Sequence, residues 1–123
     1  MVNANMQLVL EALRSRKYRQ TKGQLAHTDL KGANISYCCL GIMCKVYQES
    51  KGDLDMKQGS NGLYYEEHYT DLPVKVKEWL NLRDALGTYE TSSLARNNDR
   101  GLRFSVIADI IESNPKGLFN EED

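Results

Sequence analysis

The sequence predicts a single α+β domain with about four helices and a β-hairpin or small antiparallel sheet. Three observations lead there. Apolar residues recur at helical spacing in several separate stretches, two strand-length runs flank the turn-forming Gly59-Ser60-Asn61-Gly62, and no repeat, low-complexity tract or long linker divides the 123 residues. A chain of this length removes roughly two-thirds of its unfolded surface from water on folding, enough for a core of its own.

The elements follow in order. Met6, Val9, Leu10 and Leu13 fall on one stripe of a helix over about residues 5–16, with Asn5 or Asn3 as its cap. The cations of the Arg14 to Lys22 run suit the negative end of that helix, and Gly23 turns the chain. Residues 24–28 read as a short strand and 29–36 as a turn. From Tyr37 to Tyr47, Cys39, Met43, Val46 and Tyr47 keep helical spacing behind Ser36 as a cap, and this buried helix is the expected core. Gly41 inside it costs about 1 kcal/mol against Ala, so its presence predicts close packing of another backbone there.

The hairpin is expected to pair residues 54–58 with 63–69, its second strand rich in tyrosine. Thr70 or Asp71 then caps a helix with Pro73 in its first turn and Val74, Val76, Trp79 and Leu80 on its apolar side, ending near Asn81. Residues 83–91 show no clear period and fit a loop or an edge strand, and 93–97 a helical turn. Ser105 caps the last helix, with Val106, Ile107, Ile110 and Ile111 on its apolar face, and Asn114-Pro115 stops it. Residues 117–123 read as a frayed acidic tail.

Several function classes lose ground on composition. No apolar run reaches the ~20 residues of a spanning helix, and the first residues lack the basic and apolar regions of a signal peptide, so no membrane role and a cytoplasmic location are expected. A formal net charge of −1 supplies no global field for polyanions, so strong nucleic-acid binding is not expected and anion binding has to be local. Cys38, Cys39 and Cys44 are odd in number and tightly spaced, which argues for free thiols rather than disulfides. They also lack the paired spacing of a structural zinc site, and His27 and His68 are distant in sequence; small buried side chains are the reading, with no metal and no cofactor. A cysteine nucleophile would need a base such as His27 or His68 beside Cys38, and nothing in the spacing provides one, so no catalytic residue is assigned. Phosphate-binding glycine loops are missing, and Glu66-Glu67, as strand neighbours, would face opposite sides.

Two polar clusters remain. Lys17-Tyr18-Arg19-Gln20 offers cations, a ring and an amide at a helix exit, and the loop from Arg96 to Gly101 offers guanidiniums and amides. In a ligand site, Lys17 and Arg19 would hold phosphate, Tyr18 would stack, and Gln20 with Asn98 would orient a polar edge. Capping and turn formation is the plainer role for the same residues. The entry to the last helix also resembles the start of a helix-turn-helix, but only the short acidic segment 116–123 follows it, and a recognition helix is missing.

The runs Ala12-Leu13-Arg14-Ser15 through Gln20, Tyr37-Cys38-Cys39-Leu40-Gly41-Ile42-Met43-Cys44, Leu72-Pro73 to Trp79-Leu80 and Phe104 to Glu112 resemble a family of small uncharacterised proteins of tailed bacteriophages. The likeness spans nearly the whole chain. It departs at Arg16, where similar sequences often carry glycine, and at residues 95–99, where they often carry a Leu-Asn-Asp triplet. The resemblance implies a phage origin. The expected function is a non-enzymatic accessory protein that binds a host protein or sequesters a nucleotide-like signalling ligand against host defence, acting in the host cytoplasm as a monomer or homodimer. The alternatives are a small thiol-dependent or nucleotide-processing enzyme and a nucleic-acid-binding module.

Overall fold

The computed structural model describes residues 2–29, 34–60 and 62–120, and these form a small mixed α+β domain around one core. Helix α1 (Ala4–Arg14) leads into the short strands β1 (Arg19–Gln20), β2 (Ala26–Thr28) and β3 (Ile35–Tyr37), then the long helix α2 (Cys39–Lys51). The hairpin β4 (Met56–Gly59) and β5 (Gly62–Tyr65) precedes α3 (Val74–Trp79). A tight pair, β6 (Thr88–Tyr89) and β7 (Ser92–Ser93), feeds directly into α4 (Leu94–Asp99), and α5 (Phe104–Glu112) follows. Five helices therefore stand among the described residues where about four were expected, because the turn predicted at 93–97 extends into α4.

The helix α2 is the centre, as the sequence predicts. Its buried residues run from Cys39 through Cys44 and include Val46 and Tyr47, so it is covered all round over its first turns and reaches solvent from Lys45 and from its C-terminal end. Gly52 at positive φ ends it. Helix α1 lays Met6, Val9, Leu10 and Leu13 on this core, and the Asn3 side chain caps it by accepting from the Met6 N–H at 2.8 Å. Asn5 instead donates to the Trp79 carbonyl at 2.9 Å, tying α1 to the end of α3.

Gly41 meets another backbone, as its position in an apolar helix requires. A Cβ there would stand 1.8 Å from the Leu25 carbonyl oxygen, and the same oxygen accepts from Cys38 N–H at 3.1 Å. The Leu25 carbonyl thus sits at the positive end of α2, where its partial charge is favoured. Strand β3 lies between its neighbours: β1 runs parallel to it, with Gln20 beside Tyr37, and β2 antiparallel, with Ala26 beside Tyr37.

Local chemistry corrects several sequence expectations. Cys38, not Ser36, caps α2, its sulfur accepting from Gly41 N–H at 3.4 Å. Asp71 does not cap α3 but meets His68 Nδ1 at 2.9 Å, and Val74 is exposed. Strand β5 stops at Tyr65 because Glu66 and Glu67 take left-handed backbones (φ 47 and 70), so neither is a strand residue. Helix α5 starts one residue before Ser105, with Arg103 at its cap position and no side-chain cap; its buried face is Phe104, Ile107, Ala108 and Ile111, leaving Val106 exposed. The tail is ordered further than expected. Leu118 and Phe119 are buried, Arg83 N–H donates to Leu118 O, and Leu82 bridges Phe119, because two apolar residues after a turn gain more by covering the core than by fraying. Residues 30–33 of the predicted turn, Asn61 and the acidic 121–123 lie outside the described residues. No helix among those described is long and apolar enough to cross a membrane.

Candidate functional site

Helix α4 begins where Ser93 Oγ accepts from Arg96 N–H at 3.0 Å, and this register turns Asn98 into the protein. Asn98 is fully buried. Its Oδ1 accepts from Gln20 Nε2 at 2.7 Å and from Cys39 N–H at 3.1 Å, and its Nδ2 donates to Thr21 O at 2.7 Å. Gln20 Nε2 also donates to Leu102 O at 2.7 Å, and Asp99 Oδ1 accepts from Gly23 N–H at 2.8 Å. One buried amide therefore joins the β1 exit, the first turn of α2 and α4, with both its oxygen and its nitrogen hydrogen-bonded, as burial of a polar group demands.

Beside this seam a cleft of about 560 Å³ opens between the end of α1 and the start of α5. Arg16, Tyr18, Gln20, Arg103, Phe104 and Ser105 line it, together with Leu13 and Arg14. The chain enters it through Arg16 at φ 62, a left-handed conformation that costs a non-glycine residue about 1 kcal/mol. Tyr18 stands edge-on to Tyr37 with ring centres 5.7 Å apart, and partial burial pushes its phenol above the ordinary value, with a smaller push from Glu49. Arg14 crosses from α1 to α5, 2.8 Å from Asp109 and 3.2 Å from Glu112, which raises its pKa and spends its charge on holding the two walls together. Arg16 and Arg103 have no ion-pair partner among the described residues, and no carboxylate lines the cleft.

Of the five residues singled out in the sequence, Tyr18 and Gln20 line this cleft. Lys17 belongs to an adjoining groove of about 320 Å³ between α1 and α2, with Tyr18 shared between the two. Arg19 is exposed on β1, on the strand face alternate to Gln20. Asn98, with no exposed surface, cannot orient a ligand; it positions Gln20 instead. The sequence reading missed Arg16 and Arg103 as cations lining one cleft. Arg16 adopts a positive φ of 62, a backbone conformation that glycine takes more easily.

A second cleft of about 470 Å³ lies across α4. Arg96 and Arg100, one helical turn apart, share its wall with Ser93, Thr70 and Gln24, and Cys38 forms part of its floor. The thiols themselves are packing groups. Burial pushes Cys38 up to about 11 and Cys39 and Cys44 well above the usual thiol range, so the nucleophilic thiolate is scarce. Cys39 donates to Leu94 O at 3.4 Å. His27 contacts Gln24 and His68 contacts Asp71, so neither ring is engaged with a thiol, and no group of three metal-ligating side chains gathers among the described residues.

These features define a small α+β protein with arginine-bearing clefts on either side of a buried asparagine, and with a further cleft of about 410 Å³ where Arg83 and Lys116 stand among Asp84 and Glu90. The chain belongs to the family described as a domain of unknown function (DUF8296), whose model matches residues 3–115 and so spans both clefts. No curated protein and no solved structure matches it.

Proposed function

We propose that this is a non-enzymatic accessory protein of phage origin that sequesters a phosphate-bearing, nucleotide-like signalling ligand in the host cytoplasm, blunting a host defence. The observation that carries the reading is the pair of guanidiniums, Arg16 and Arg103, that line one cleft with Tyr18 and have neither an ion-pair partner nor a carboxylate beside them in that lining among the described residues. Such groups bind phosphate oxygens through charge-assisted hydrogen bonds, while the ring offers a face or edge to a base. The uncapped first turn of α5 adds N–H donors of the same polarity. Gln20, fixed by Asn98 and Leu102, supports the wall and does not need to move when a ligand enters. The raised thiol pKa values support the non-enzymatic part of the reading over a thiol-dependent one.

Calorimetric titration of the full chain with nucleosides and with their mono-, di- and triphosphates tests this. Nucleotides are expected to bind and nucleosides to bind at least tenfold more weakly, with Arg103→Glu abolishing the difference while the melting temperature stays within a few degrees. Equal affinity for nucleoside and nucleotide, or no binding of either, overturns it.

A further inference from the structure

The two clefts are ends of one surface. Residues 20–23 run along residues 98–102, joined by side-chain-to-backbone hydrogen bonds from Gln20 Nε2 to Leu102 O, from Asn98 Nδ2 to Thr21 O and from Gly23 N–H to Asp99 Oδ1, and the exposed residues of these two segments link the clefts. Arg16 and Arg103 stand at one end, Arg96 and Arg100 at the other. Lys22 lies between, its Nζ beside Gly101. Asp99, which lines the second cleft beside Arg96 and Arg100, keeps its negative charge while accepting from Gly23 N–H, so five cations stand against one carboxylate along this stretch. None of the five cations has an ion-pair partner among the described residues. A protein of net charge −1 thus gathers an unbalanced row of positive charge along a single seam.

Each end also offers apolar surface beside its guanidiniums: Tyr18 and Phe104 in the first cleft, Leu86 and Ala95 in the second. Leu86 is 43% exposed and so available for contact. Charge beside apolar contact at each end, aromatic at Tyr18 and aliphatic at Leu86, matches a ligand that alternates phosphates with bases. Resting on the reading of the first cleft as a nucleotide site, we infer that the seam is a track for a short single-stranded oligonucleotide. Its terminal nucleotide sits between Arg16 and Arg103, and the following phosphates pass Lys22 to reach Arg96 and Arg100. An acidic peptide would satisfy the cations but leave Tyr18 and Leu86 unused.

The test is fluorescence anisotropy of the full chain with labelled thymidylates from one to about six nucleotides, a size within the span of small single-strand binding sites. Affinity is expected to rise at least tenfold from the mononucleotide to the longest oligomer. With about three phosphates neutralised, it should fall about 20-fold between roughly 50 and 200 mM salt. Arg96→Glu with Arg100→Glu should bring the longest oligomer down to the affinity of the mononucleotide; the milder Arg96→Ala with Arg100→Ala, checked by circular dichroism, should lose most of the same gain. Affinity independent of length, a gain that survives both double variants, or an oligoglutamate that competes as well as the oligonucleotide overturns the track while leaving the mononucleotide site standing. Failure of every nucleotide to bind removes both.

Discussion

Gln20 and Asn98 hold one another through a 2.7 Å hydrogen bond across 78 positions of sequence, and the bond fixes the wall of the first cleft from behind. Neither residue is replaceable by its size alone. The asparagine oxygen serves two donors and its nitrogen serves the Thr21 carbonyl, so every member of the group depends on it.

Asn98→Ala should therefore act on the fold before it acts on any ligand. It strands the Cys39 N–H and the Thr21 carbonyl in a water-poor interior, a loss of about 2–4 kcal/mol. Chemical denaturation checks this: the midpoint should drop with the slope unchanged. A variant of undiminished stability that loses ligand affinity would return Asn98 to the role of a direct contact.

Gly41→Ala should be more damaging than any other single-methyl addition in α2. The new Cβ would lie 1.8 Å from a backbone oxygen that is itself held by Cys38 N–H. Overpacking against backbone cannot be relieved by a rotamer change, so at least about 3 kcal/mol should be lost. The fraction of soluble, cooperatively melting protein reports it.

Arg16→Gly separates strain from function. Relief of the left-handed backbone, worth about 1 kcal/mol, is partly cancelled by the extra freedom glycine brings to the unfolded chain. Stability should hold or rise slightly, while nucleotide affinity falls roughly 10- to 100-fold, the value of a charge-assisted hydrogen bond. Equal losses in both would mean that Arg16 is simply structural.

Alkaline pH should unfold the protein earlier than its carboxylates and amines alone would suggest. Burial raises the Cys38 thiol from an ordinary value of 9.0 to about 11, and shifts Cys39 and Cys44 the same way. In this window the unfolded chain has released protons that the folded chain still holds. The sign of the linkage is then negative: the stability is fully present below about pH 9 and drains away as pH rises toward about 11. Melting temperature against pH checks it, and a thiol reagent at about pH 8 should label none of the three cysteines until denaturant is added.

How much of this was legible differs residue by residue. The α1 stripe and the buried α2 followed from spacing, because a repeat of 3.6 leaves its mark whatever the helix packs against. Gly41 was readable for a related reason, since an expensive glycine in an apolar helix implies a close neighbour, though not that the neighbour is Leu25. Asn98 could be noticed as polar and loop-like, but its burial comes from β1 and α2 closing over it, which no local pattern records. Arg103 was passed over because a single arginine before a helix looks like any other surface cation. Its significance arises only where α1 brings Arg16 alongside. The parallel pairing of β1 with β3 was equally hidden, as two-residue strands carry almost no periodicity.

The carbonyl of Leu25 has a consequence for how the second cleft can work. Because that one oxygen is gripped by Cys38 N–H and pressed against Gly41, the floor under Cys38 has no room to slide or tilt. Any adjustment to an incoming molecule falls to the side chains of Arg96 and Arg100, because α4 beneath them is tied through Asn98 to Cys39 and Thr21. A molecule entering there would meet a fixed seat and two swinging guanidiniums, so that substitutions at Arg96 and Arg100 should retune what is accepted without disturbing the packing below.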